Sequence, residues 1–314
     1  MTDKRPDPKP RKHPLLWQSY LLWEGMNDQK KRHKLRLSSI ENGKSMMDPE
    51  FEGLAIADIA AIEQRAKKWM VLHGRNVGLV WDWMNSIRGI GFHTSAKILA
   101  LFDDVGKFST ISKFWRFSGW GVFDYWIDDN GKIKAPKAGY KTRKAKAGEW
   151  TRDGVICDPG FGVSIKEGEV VREYIIVEPK KGWKLEPRKD IRLEGWNAPY
   201  NNTLKKECYL VGDNFIKQQT PLYVDVYYEQ KARLRELHPV PVEAPNKPWK
   251  YDYTDSHIHR MARRKMVKLF LSHLWLVWRE CENLPISKPW INDIGGHIHF
   301  IPPPNWPLED NTGV

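Results

Sequence analysis

The sequence predicts a mainly α protein interrupted by one small β-rich insertion. Two observations give the helices: apolar residues recur at helical spacing over residues 51–86, and again across residues 196–285. A third gives the insertion. Between residues 123 and 195 Gly, Lys and Pro become frequent, and β-branched runs such as VVREYIIV alternate with turn signals such as DDNG. Hydrophobic residues make up 41% of the 314, enough for a packed core.

Charge and composition narrow the partners. The net charge is +12, with an isoelectric point near 9.4, which favours a polyanion. No run of about 18 apolar residues is present for a spanning helix, so no membrane partner is expected. The N-terminus, MTDKRPDPKPRKHP, is basic and proline-rich with no apolar stretch behind it, unlike a signal peptide. Cys157, Cys208 and Cys281 are odd in number and far apart, which fits neither a disulfide framework nor a CxxC metal site. A reducing, cytoplasmic setting and no cofactor or metal are the expectation. Among the 16 tryptophans, most are expected as core anchors and some as stacking surfaces for bases.

Residues 1–50 read as a basic arm. LLWQSYLLW within it has the pattern of a short buried helix, and QKKRHKLRL supplies Lys30, Lys31, Arg32, Lys34 and Arg36. Leu35 and Leu37 alternate with these charges and would pin them to a surface, which points to phosphate contact. Residues 51–86 read as a long helix. Ala55, Ile59, Ile62, Ala66 and Trp69 follow the 4-3-4-3 spacing of a coiled-coil seam over about two heptads. That seam fits either a homodimer contact or packing on the chain's own core. Gly74 and Gly78 interrupt the pattern before LVWDWMNSI resumes it.

Residues 87–122 open on RGIGFHTSAKILALF. A helix, a tight Gly-containing turn and a second helix form a helix-hairpin-helix pattern, with Gly89 and Gly91 permitting positive φ and close approach. The second helix starts near His93, Thr94 and Ser95. Its first N–H groups lack intrahelical partners and could hold a phosphate, with Lys97 one turn in as a point charge. The same turn also serves packing alone.

The insertion, residues 123–195, has its strongest feature in KIKAPKAGYKTRKAKA, where seven basic residues, among them Lys141, Arg143, Lys144 and Lys146, occur with no acid. This is an electrostatic footprint for nucleic acid or else a solvated loop. Residues 196–285 return to helix. Leu204, Cys208, Val211 and Phe215 form one stripe, beside Lys205 and Lys206. PLYVDVYYEQKARLRE begins with a proline suited to a first turn. After a proline-rich link comes DSHIHRMARRKMVKLFLSHLWLVW. There Arg260, Arg264 and Lys268 share a face at i, i+4 spacing with Arg263 and Lys265 beside them, while Ile258, Met261, Ala262, Met266, Leu269 and Phe270 supply the buried side. Residues 286–314 read as an extended tail.

Three of these segments resemble a known family when taken in order. They are IRGIGFHTSAKILALFDDVGKFSTISKFWRFSGWGV, NNTLKKECYLVGDNFIK and HIHRMARRKMVKLFLSHLWLVW. They look like the C-terminal half of the RNA-guided insertion-sequence transposases of the DEDD class, and like their relatives, the Tas proteins associated with tandem interspaced guide RNA arrays. RHKLRLSSIENGKS looks more like the Tas side. The resemblance covers about half the chain in pieces and leaves the insertion without a counterpart. It implies a Nop-like helical core that holds a structured, box C/D-like guide RNA, with target DNA as the second partner.

Two departures from the transposases set the expected activity. Their nuclease holds two metal ions about 3.5–4 Å apart on acidic residues at strand ends, and no such strand-plus-Asp pattern precedes Ile87. Their nucleophilic serine has no equivalent here, since Ser164 lies in an unrelated context. The chain is therefore expected to bind a guide RNA and target DNA without being an enzyme. The alternatives are a divergent transposase or nuclease using Asp103, Asp104, Asp128, Asp129 or Asp225, and a sequence-neutral DNA-binding protein. The pairs His257/His259 and His297/His299 are weak metal candidates beside ordinary structural histidines.

Overall fold

The chain was analysed as a computed structural model, which describes residues 11–307 apart from 153–154, 161, 189–190, 192, 245–246 and 287–299. It is mainly helical with a smaller β component, in two compact units: Thr110–Lys206, and Arg11–Ser109 together with the chain from Glu207 onward.

The second unit is built of helices. α1 (Pro14–Glu41) and α2 (Pro49–Arg75) form a helical hairpin. Pro14 and Pro49 occupy first-turn positions, where a missing N–H costs no bond, and the Asp48 carboxylate caps α2 by accepting from the Glu50 N–H at 2.9 Å. α3 (Leu79–Ser86) and α4 (Phe92–Phe102) follow, the latter packed against both hairpin helices. α6 (Asn202–Lys217), whose first residues belong to the other unit, precedes α7 (Tyr223–Leu237) and α8 (Asp255–Cys281). The core is aromatic: Phe215, Tyr223 and Phe270 pack ring on ring, with Trp275 and Trp278 fully buried beside them in α8. α6 approaches α8 so closely that a Cβ on Gly212 would stand 2.7 Å from a Val267 methyl carbon, which leaves room for glycine alone.

The first unit carries α5 (Ile111–Phe117) and two sheets. In one, β1 (Phe123–Ile127) lies between β2 (Ile133–Pro136) and β8 (Lys184–Arg188), both antiparallel to it. Phe123, Tyr125 and Ile127 alternate onto its buried face against Leu193 and Tyr200. The other has the order β3 (Ala138–Lys144), β7 (Val170–Ile176), β5 (Val155–Cys157), β4 (Trp150–Arg152), β6 (Val163–Ser164), with β5 parallel to β7.

Several expectations change. Residues 14–41 are one continuous helix rather than an arm with a short helical piece, and Leu35 is 72% exposed, so it pins nothing to a surface. The predicted seam on α2 is not the one that packs. Ala66 is buried, but Ile62 and Trp69 are exposed, and the stripe facing the interior runs Glu52, Glu63, Ala66, Met70, Gly74. Two glutamates sit in that stripe because α1 supplies their counter-charges: Lys30 reaches Glu63 at 2.6 Å and His33 reaches Glu52 at 2.6 Å. Burial alone would raise the Glu63 carboxyl, but its hydrogen bonds to Lys30 and Lys67 hold it at about 2. The proline-rich link contains a hairpin, β9 (Val242–Ala244) with β10 (Lys247–Asp252). Within residues 286–314, residues 300–307 are tied to the helices through Trp83 Nε1 on the Pro304 carbonyl and His273 Nε2 on the Ile301 carbonyl.

Candidate nucleic-acid interface

The GIG turn is a packing device. Ile87 to Ile90 close a β-turn through the Ile90 N–H and the Ile87 carbonyl at 3.1 Å, with Gly89 at φ +93° in the third position, where glycine is favoured. Asn214 donates to the Gly89 carbonyl at 3.2 Å and the Thr220 hydroxyl donates to the Arg88 carbonyl at 2.9 Å, so α6 and the loop after it hold the turn. Gly91 is extended rather than left-handed and serves as the N-cap of α4. Lys97 is the main correction. It is buried and donates to Glu207 at 2.5 Å, with the Trp23 ring 5.1 Å away, so its charge is spent internally. His93 lies edge-on to Trp23, and burial, then the nearby Lys97, push its pKa down to about 4. At neutral pH it offers no charge to a phosphate. Thr94 is half-buried beside it.

The cations of α1 divide. Lys30 is bound to Glu63, Arg36 stands 3.9 Å from Glu52, and Lys31 pairs with Asp28 at 3.1 Å on the surface. Arg32 and Lys34 are exposed. In the β-rich unit Arg143 is held between Glu149 and Glu173, its Nη2 at 2.6 Å and its Nε at 2.7 Å from their carboxylates. Arg143 is therefore a cross-strand clamp. Lys144 and Lys146 are exposed, and Lys141 lies 4.5 Å above the Trp196 ring. Lys205 sits over Tyr200 and donates to its hydroxyl at 2.9 Å, next to the exposed Lys206.

α8 gathers the most coherent set. Arg260 and Lys265 are exposed and form no ion pair among the described residues, while Arg264 and Lys268 are half-buried on the same side of the helix. Burial, followed by the charge on Arg264, lowers the Lys268 ammonium to about 8. Such a shift marks cations held together by the fold, and an anion at this place relieves both causes. Arg263 is not part of the set. It is buried, ion-paired with Asp213 and stacked 3.5 Å over the Tyr209 ring.

Sequence reading missed a second feature, a cleft of about 460 Å³ in the β-rich unit, lined by Arg116, Phe117, Phe123, Lys137, Tyr140 and Tyr174 among others. The Tyr140 and Tyr174 rings lie 5.1 Å apart across paired strands. Lys137 and Tyr140 fall in the KIKAPKAGYKTRKAKA stretch, so the signal was present as aromatic and basic residues interleaved. Its partner Tyr174 came from a distant strand and carried none.

The candidate carboxylates have structural duties. Asp103 accepts the Lys12 and His13 N–H groups at 3.1 and 3.3 Å, Asp104 accepts from the Gly106 N–H, Asp128 closes the β1–β2 turn, and Asp225 accepts from the Leu222 N–H at 2.9 Å. Asp129 is 3.8 Å from Lys184. Ser164 lies on the exposed edge strand β6. His257 accepts the Tyr253 N–H at 3.0 Å and His259 pairs with the Tyr227 hydroxyl at 2.7 Å, which gives both a structural role. His297 and His299 lie outside the described residues. Among the described residues no three His, Cys, Asp or Glu side chains are grouped as metal ligands are, and no helix is long and apolar enough to cross a membrane. Comparison with protein-family models, with curated proteins and with solved structures finds no match to this chain.

Proposed function

We propose that the chain binds a structured guide RNA of the box C/D-like kind, and that the resulting cytoplasmic ribonucleoprotein selects a DNA target by base pairing, without a nuclease of its own. The observation that carries the reading is the α8 ladder of Arg260, Arg264, Lys265 and Lys268, in which burial and mutual repulsion already disfavour one of the charges. Phosphates are the ligand that such a ladder recognises, and phosphate contacts give affinity and orientation rather than sequence. Sequence choice then falls to the RNA. The order of the three resembling segments supports the same reading. The exposed lysines and tyrosines of the β-rich unit offer a second contact, suited to unpaired bases. A homodimer belongs to the proposal.

The test is purification of the protein from cells carrying its native locus, followed by sequencing of the bound RNA. A recurrent folded transcript is expected with the wild type, and its loss with Arg260→Glu/Arg264→Glu. Random fragments would favour a sequence-neutral binder. Mg²⁺- or Mn²⁺-dependent cleavage of matched duplex by the loaded protein, abolished by one Asp substitution, would favour the transposase-like enzyme.

A further inference from the structure

α2 has a second stripe that the fold leaves uncovered. Phe51, Leu54, Ile62, Trp69 and Leu72 are between 40% and 62% exposed. At about 100° per residue they fall within an arc of roughly 80°, well away from the stripe that faces α1. Two charges interrupt this arc, Asp58 and Arg65. Both are exposed, and neither forms an ion pair among the described residues. They are seven residues apart, about 10 Å along the helix, which is too far to bridge each other.

The geometry points to a second copy of this chain as the occupant, with two α2 helices lying antiparallel about a two-fold axis between Ala61 and Ile62. The positions are self-complementary. In that register Phe51 faces Leu72 of the other copy, Leu54 faces Trp69, and Asp58 faces Arg65, each contact occurring twice as an isologous interface requires. The end of the stripe is shaped for this. Leu72 lines a hollow of about 320 Å³ with Lys67, Lys68, Val71 and Arg75, and it lies where Phe51 of the partner copy arrives. A heterologous partner has no reason to match a sequence that reads alike, in residue class and charge pairing, from both ends. A parallel pair sets Asp58 against Asp58 and Arg65 against Arg65, which is repulsive at both positions.

The contact spans about 32 Å of helix, so it buries less than the roughly 1,200 Å² of a standard stable interface. Association is accordingly reversible, with a dissociation constant in the micromolar range. This inference gives the proposed homodimer a face and a register, and it needs no RNA.

Sedimentation of the RNA-free full-length protein between about 1 and 100 μM tests it. Wild type is expected to pass from monomer to dimer across that range. Asp58→Arg and Arg65→Asp each place like charges in opposition twice and should weaken association about tenfold or more. The double variant D58R/R65D restores opposite charges and should recover affinity to within about threefold of wild type. Monomer throughout, single variants that associate like wild type, or a double variant no better than the singles would overturn the register. RNA recovery from the same proteins is read separately, so failure of guide binding leaves this result standing, and the reverse.

Discussion

Lys97 shows how one side chain changes meaning once its surroundings are known. In the sequence it stands one turn into a helix behind a glycine turn, where a phosphate-binding lysine is expected. In the fold it is buried against Glu207, 110 positions away. A buried pair is costly to form and costlier to break, because removal of one partner strands the other charge. Lys97→Ala should therefore destabilise the protein by about 3–5 kcal/mol in urea unfolding. Lys97→Met/Glu207→Leu should recover much of that loss. Were Lys97 a phosphate contact, the single substitution would leave the midpoint in place and weaken RNA binding instead. The general difficulty is plain from this pair: a cation read alone carries no sign of whether its acid lies far along the chain. Arg143 and Arg263 were misjudged for the same reason, one clamped by Glu149 and Glu173 and the other by Asp213.

At the scale of elements, hydrophobic stripes on single helices were legible. Leu204, Cys208, Val211 and Phe215 are all fully buried, as their spacing implied, and the apolar side of α8 lies as read. The α1–α2 hairpin was not legible, because its contact face is partly ionic. Glu52 and Glu63 break the apolar repeat of the packed stripe, and QKKRHKLRL looks like solvent-facing charge until those glutamates are set opposite it. The predicted seam fell between the two real stripes of α2 and borrowed residues from each. The α8 ladder was legible from its i, i+4 spacing, although the burial of Lys268 was not. That burial has a consequence for binding. A phosphate contact needs the ammonium form, and the free side chain loses its proton near pH 8. RNA affinity should thus fall as pH rises from 7 to 9, and Lys268→Arg should flatten that dependence because a guanidinium stays protonated. Fluorescence anisotropy across the pH range reads both. An equal slope in wild type and variant would place the RNA elsewhere.

For the whole molecule, charge conservation turns the surplus of +12 into a statement about location. Every internal ion pair removes one charge of each sign, so the pairs at Glu52, Glu63, Glu149, Glu207 and Asp213 leave the surplus untouched. It must reside on cations that the fold does not neutralise, and Arg260 and Lys265 on α8 are among them. A polyanion that meets these groups releases its own counterions, so affinity falls linearly with salt on logarithmic axes, with a slope set by the number of phosphates engaged. Arg260→Glu/Arg264→Glu should reduce that slope by about two if each arginine meets one phosphate. The ratio of affinities for the cognate transcript and for duplex DNA separates the readings. A guide-RNA protein loses transcript and duplex binding unequally, because shape and unpaired bases add contacts that salt does not screen. A sequence-neutral binder shows a ratio near one at every salt concentration, since counterion release is then its whole source of affinity.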